Sequence, residues 1–151
     1  MLRKTILTVG VCMCLLGFLS CDKDDDDDNK NVISFAGTMS GANEVPAVPS
    51  TATGNVSGSF DPASKILTLT ITYSGLSSAV TMWHVHKGAV GVSGPPVAGL
   101  NFGTLGASPF IWSSSPLDAT MEADLMSNQY YVNIHTVDYG DGEIRGQLTK
   151  Q

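Results

Sequence analysis

After Cys21 the chain has no further cysteine; its other two, Cys12 and Cys14, precede that point. A body that begins beyond it has no disulfide framework, no cysteine nucleophile and no thiolate zinc site, so packing alone must hold its core. Positive charge is scarce as well, with eight Lys and Arg against fourteen Asp and Glu and a formal net charge of −6. Arg3 and Lys4 contribute +2, the stretch from Asp22 to Lys30 gives −4, and the body from Val32 gives a further −4. An acidic chain without a basic stripe is a poor partner for nucleic acid, and none is expected. There is no Gly-x-Ser-x-Gly elbow: Gly91-Val92-Ser93-Gly94-Pro95 has the wrong spacing. Gly88, Gly91 and Gly94 form neither a dinucleotide nor a phosphate loop, and Gly88 to Pro96 reads instead as a mobile loop. Glu122 and Asp124 sit close together on a polar stretch, which is more often a solvated face than a glycosidase pair. No catalytic residue is assigned, and the chain is expected not to be an enzyme.

Long hydrophobic runs are also missing. The apolar-biased stretch from Ile6 to Leu19 falls short of the roughly 20 residues that a spanning helix needs. With Arg3 and Lys4 ahead of it and Phe18-Leu19-Ser20-Cys21 behind, residues 1–20 read as an export signal. The small residue followed by cysteine resembles the lipobox of bacterial lipoproteins, and that resemblance makes Cys21 the lipid-modified first residue of the mature chain. Residues 21–31 contain no apolar side chain after the cysteine and many like charges, so they read as an extended, flexible tether. Asp24, Asp26 and Asp28 alternate as in a calcium loop, but that loop would need Gly at Asn29 and Glu at Phe35. An acidic run with a lysine directly behind such a cysteine resembles a surface-export signal of one group of Gram-negative bacteria. The expected location is therefore the outer membrane, lipid-anchored and facing outward, with the periplasmic face as the alternative.

What is present from Val32 onward is period-two alternation cut by Gly, Pro, Ser and Asn, the pattern of short strands joined by turns. Leu67, Leu69, Ile71 and Tyr73 alternate with Thr68, Thr70 and Thr72, one side for a core and one for water. Further strands are expected at Ile33 to Met39, Gly54 to Phe60, Val80 to His86, Asn101 to Leu105, Phe110 to Ser113, Tyr130 to Thr136 and Glu143 to Thr149. The spacing predicts an all-β domain over 32–150, an antiparallel Greek-key sandwich or barrel of about eight strands. At most one short helix fits, at Asp118 to Met126. Asp141-Gly142 offers a tight turn that would pair the last two long strands as a hairpin.

The three histidines of the whole chain are His84, His86 and His135. Strand residues two apart share a face, which sets the His84 and His86 Cα atoms about 6.6 Å apart and lets both imidazoles converge on one ion. His135 shares a face with Asn133 and Tyr131, while Glu143, Arg145 and Gln147 line one side of the final strand. If these strands meet, the histidines join Asn133, Glu143 and Arg145 in one polar cluster. Two readings follow: a hydrogen-bonded network that fixes strand register, or a single Zn or Cu site with Asn133 or Glu143 behind the ligands. A weak calcium site at Asp138, Asp141 and Glu143 is less expected than a turn.

Four ordered motifs resemble the chordin-type (CHRD) domain: Gly41-Ala42-Asn43-Glu44-Val45-Pro46, Trp83-His84-Val85-His86, Tyr131-Val132-Asn133-Ile134-His135-Thr136 and Gly142-Glu143-Ile144-Arg145-Gly146-Gln147-Leu148. The resemblance covers Val32 to Lys150. It implies a β-rich extracellular module whose molecular role is mostly undefined; the chain is read as an immunoglobulin-like or superoxide-dismutase-like binding or structural domain, with Glu44, Asn133, Glu143 and Arg145 as the polar cluster. The growth-factor regulation of the family's namesake is ascribed to separate cysteine-rich modules and is not carried over. Trp83 departs from the pattern, standing where the family usually has a small residue. A weaker similarity is to copper-zinc superoxide dismutase, which needs more histidines and a disulfide, so dismutase activity is not expected. The implied partners are a membrane, through lipid on Cys21, and a protein or glycan that Tyr139, Trp112 and Phe110 would face.

Overall fold

The computed structural model describes residues 32–100 and 104–151. The signal segment 1–20, Cys21 and the tether 21–31 lie outside the described residues. The strands are β1 (Ile33–Ser40), β2 (Thr53–Asp61), β3 (Ile66–Ser74), β4 (Val80–Lys87), β5 (Phe110–Ser113), β6 (Tyr130–Thr136), β7 (Ile144–Gln147) and β8 (Thr149–Lys150), with a single α-helix among the described residues, α1 (Ala119–Met126). All pairs are antiparallel, and they build one sheet in the order β4-β6-β7-β1-β2-β3-β5, with β8 also on β1.

The alternation read from the sequence decides which side of this sheet is dry. On β3, Leu67, Leu69 and Ile71 are fully buried while the threonines between them stay partly in water. Phe35 and Met39 of β1, Val56 and Phe60 of β2, and Val85, Val132, Ile134 and Ile144 join the same core. A flat sheet would leave its two end strands far apart, but here they meet across that core. Trp83 of β4, at one end, packs edge-to-face on Phe110 and Trp112 of β5, at the other, with ring centroids 5.7 and 5.4 Å apart. The sheet therefore curls into a half-barrel that is closed by aromatic rings rather than by hydrogen bonds. Trp83 is the residue that seals it, which gives the departure noted above a structural role.

Three local expectations change. Thr104 and Leu105 are not in a strand, and the rest of the expected strand at Asn101 to Leu105 lies outside the described residues. The last strand is interrupted at Leu148, whose fully buried side chain turns into the core while its N–H bonds to Tyr130 O. Glu143 precedes β7 instead of lying in it. The helix begins one residue later than expected because Asp118 is its cap, accepting from the N–H groups of Thr120 and Met121. Glu122 and Asp124 are taken up in ion pairs with Lys65 and Lys87, at 2.9 and 2.7 Å. Such half-exposed pairs contribute about 0–1 kcal/mol each.

Candidate functional site

Register places the polar residues. Directly opposed residues of an antiparallel pair share a face, and here His84 opposes Asn133, His86 opposes Tyr131, and Met82 opposes His135. On the other side of β6, Asn133 opposes Arg145 and Tyr131 opposes Gln147. One sheet face thus carries His84, His86, His135, Tyr131, Asn133, Arg145 and Gln147, while Trp83, Val85, Val132 and Ile134 point into the core. The polar face would normally be wet. Every residue of β6 is nevertheless buried, because the segment around Glu44 and the loop from Gly88 to Pro96 fold over it.

That loop is fixed to the strand beneath. Lys87 N–H bonds to Pro95 O, Val97 N–H to Val85 O, and Gly94 N–H to the Tyr131 hydroxyl. Gly94 allows this approach: a Cβ there would lie 1.7 Å from Lys87 O. Its carbonyl accepts a 2.8 Å bond from His86 Nδ1, which fixes that ring with its proton on Nδ1 and its Nε2 lone pair free. His86 Nε2 is buried and has no hydrogen-bond partner among the described residues. His135 is set in the same way, its Nδ1 donating to Gly140 O at 2.9 Å. The His135 Nε2 lone pair then faces His84 Nδ1 at 3.1 Å, so the neutral His84 donates across that gap.

The three rings converge. One nitrogen from each of His84, His86 and His135 lies within 4.8 Å of the others. Burial pushes His84 down to about 4, helped by the neighbouring His135 and His86. Burial likewise lowers His86 and His135, against the opposing pull of the Gly94 and Gly140 carbonyls. All three are therefore neutral at neutral pH, the form that binds metal. A backbone carbonyl held at Nδ1 is also the usual support behind a ligating imidazole.

Beside the histidines lies a second group of buried polar residues. Glu44 reaches over the sheet and accepts from Asn133 Nδ2 at 2.9 and 3.0 Å. Gly142, at φ +133, allows this pair to form, since a Cβ there would lie 2.3 Å from Asn133 Nδ2. Burial pushes Glu44 up to about 7, although the Arg145 charge and the Asn133 bond pull the other way. Tyr131 stacks on His86 and carries the Arg145 guanidinium carbon 3.4 Å from its ring centroid.

Glu143 is a correction to the expected cluster. Its carboxylate turns away from the histidines and accepts from Ser50 Oγ at 2.7 Å, Thr136 Oγ1 at 2.7 Å, and Ser77 N and Oγ at 2.9 and 3.0 Å. Thr136 follows His135 on β6, so it points to the opposite face. Glu143 stitches three chain segments together and does not back the histidines. Burial alone would raise its pKa, but the bonds from Ser50, Thr136 and Ser77 outweigh that and hold it below the usual carboxylate range. A depressed carboxyl contributes stability that is present above the unfolded pKa of about 4.3 and lost as pH falls through the folded value. Glu143→Gln is expected to cost about 1–2 kcal/mol at pH 7, where it trades charged hydrogen bonds for neutral ones. Urea unfolding at pH 7 and at pH 3.5 checks this, with the difference between the two proteins shrinking at the lower pH.

Sequence patterning located the histidines, Asn133 and Arg145, but it missed Tyr131 as the ring between His86 and Arg145. It also missed Gly94 and Gly140 as the carbonyls that set the tautomers. The clustering of glycines around both histidine strands was the available signal, since close backbone approach is a common reason for glycine. A family model described as CHRD domain matches residues 35–148. No curated protein and no solved structure matches the chain.

Proposed function

This chain belongs to the CHRD domain family, and on that premise we propose that it is a lipid-anchored, extracytoplasmic module that binds one transition-metal ion through His84, His86 and His135. The observation that carries this reading is the unpaired, buried Nε2 of His86 aimed into a set of three convergent imidazoles. A buried polar atom without a partner costs about 1–3 kcal/mol, and an ion supplies the missing partner. Ligands on a tetrahedral ion at 2.0–2.1 Å stand about 3.3 Å from one another. The His84 to His135 separation of 3.1 Å already meets this. Rotation of the rings closes the rest, and the proton on His84 Nδ1 leaves that atom when the ion binds.

Imidazole suits Zn and Cu alike, and three protein ligands leave the fourth position open. The role is a binding role, with no reaction assigned to the site. Elemental analysis of the chain as purified, and titration with Zn or Cu, decides which ion it takes; failure to take up either contradicts the proposal.

The anchoring half of the proposal rests on Cys21 and the aspartate-rich sequence behind it, whose like charges and lack of apolar side chains suit a spacer between a lipid and the domain. Cys21→Ala is expected to move the protein from the membrane fraction to the soluble fraction. Unchanged membrane association of that variant contradicts the lipid anchor.

A further inference from the structure

Arg145 is the one fully buried cation among the described residues, only 2% exposed. A buried charge is ordinarily matched by an opposite one, because desolvation of an unmatched ion is expensive. Arg145 has no such match. The ion pairs among the described residues are Lys65 with Glu122 and Lys87 with Asp124. Its Nη2 donates to two neutral acceptors, Ala89 O at 3.1 Å and Gln147 Oε1 at 3.4 Å. One face of the guanidinium is covered by the Tyr131 ring. Nε and Nη1 have no hydrogen-bond partner among the described residues. Glu44, the acid whose charge Arg145 feels, gives its carboxylate to Asn133 instead.

The space around this cation is not filled by protein. Arg145, Glu44 and Val45 line a cavity of about 370 Å³ that reaches His86 and His135. The same three residues line a second cavity, of about 480 Å³, that runs past Val90 to Thr38 and Gln147. Together they form a groove with Arg145 at its middle, and each part falls within the size range of small-molecule sites.

We propose that this groove binds a small organic carboxylate, with the Arg145 guanidinium as its counter-charge and the apolar surfaces of Val45 and Val90 against the rest of the ligand. The carboxylate takes the donors that Nε and Nη1 leave open. The inference goes beyond the metal reading and does not need an ion, because Arg145 is unmatched whether or not the histidines are filled. Burial raises Glu44 to about 7, and both of its carboxyl oxygens are engaged by Asn133, so it makes no ion pair with Arg145.

The test uses the full chain, stripped of metal with the uncharged chelator phenanthroline and dialysed, since a carboxylate chelator would itself compete. Calorimetric titration compares N-acetylglycine with its amide, and glucuronate with glucose. At least one acid is expected to bind tenfold or more tightly than its neutral counterpart, and which of the two does so distinguishes a peptide-like source from an acidic sugar. Arg145→Met is expected to remove that preference. Glu44→Gln, which removes the acid that lines both cavities with Arg145 and leaves Asp141 in the lining of the one that reaches the histidines, is expected to keep or strengthen it. If neither acid outbinds its neutral counterpart, or if Arg145→Met binds the acid as well as the parent chain, the carboxylate site is overturned. Because the chain is metal-free throughout, failure of the histidine site leaves this result unaffected.

Discussion

Replacing His86 with alanine is expected to abolish the thermal stabilisation that a bound Zn²⁺ or Cu²⁺ would give the parent chain. An ion bound by the folded state alone, at a free concentration 100 times its dissociation constant, adds about 2.7 kcal/mol. For a domain of this size that is a rise in melting temperature of roughly 10 °C. His86 is the most informative of the three ligands, because its Nδ1 is already held by Gly94 and its Nε2 has no hydrogen-bond partner among the described residues. Its removal leaves two nitrogens that bond to each other, so the metal shift disappears, while the apo protein loses the Gly94 bond and the Tyr131 stack whether or not metal is present. Differential scanning with and without added ion measures both quantities. An undiminished shift in His86→Ala places the ion elsewhere. The shift also fades on acidification, since protons compete for the same three imidazoles.

Trp83→Ala is expected to carry the largest cost to the fold itself, about 3–5 kcal/mol. That is a large share of the 5–15 kcal/mol by which domains are ordinarily stable. The size of the effect follows from position as well as from area. Trp83 is completely buried and holds the two ends of the sheet together through Phe110 and Trp112. With the indole gone, β4 and β5 have no hydrogen bonds between them to fall back on. Trp83→Phe is expected to be much milder, about 1–2 kcal/mol, because the indole Nε1 is a buried donor without a partner and losing it removes a penalty. Urea denaturation of both variants gives the comparison. Equal costs for the two would mean that a remaining ring restores none of the contact with Phe110 and Trp112, and would contradict closure by aromatic packing.

The strands were legible because one face of the sheet is dry. Leu67, Leu69 and Ile71 advertise their orientation at every second position, and β1 to β6 each lie within a residue or two of the expected bounds. The curl was not legible, since it depends on which rings meet across the core. Neither Trp83 nor Trp112 carries in its local sequence a sign that the two touch. The final strand differs from its expected bounds for a related reason, starting one residue later and breaking at Leu148. Leu148 keeps the alternation of Ile144 but leaves the ladder, its N–H turning to Tyr130 O, and Glu143 is pulled off the strand by hydroxyls from Ser50, Ser77 and Thr136, residues near it in space alone.

The histidine face is the opposite case. Spacing on β4 gave the His84 and His86 pair, and period two on β6 put His135 on the same side as Asn133. Whether the two strands are neighbours in matching register is a tertiary fact, and the pairing of His84 with Asn133 supplies it. The loops that bury the site are beyond the reach of periodicity altogether. The glycines at 94, 140 and 142 mark close backbone approach without saying to what; two of them provide the carbonyls that orient the rings and the third makes room for the Glu44–Asn133 pair.

X-ray absorption at the metal edge, on the full chain loaded with one equivalent of Zn²⁺, tests the central claim most directly. Three imidazole nitrogens at about 2.0–2.1 Å, with the outer-shell scattering of histidine rings, is the predicted spectrum. A shell of oxygens alone, or one that the His84→Ala, His86→Ala and His135→Ala changes leave unaltered, would contradict a site built from these three histidines.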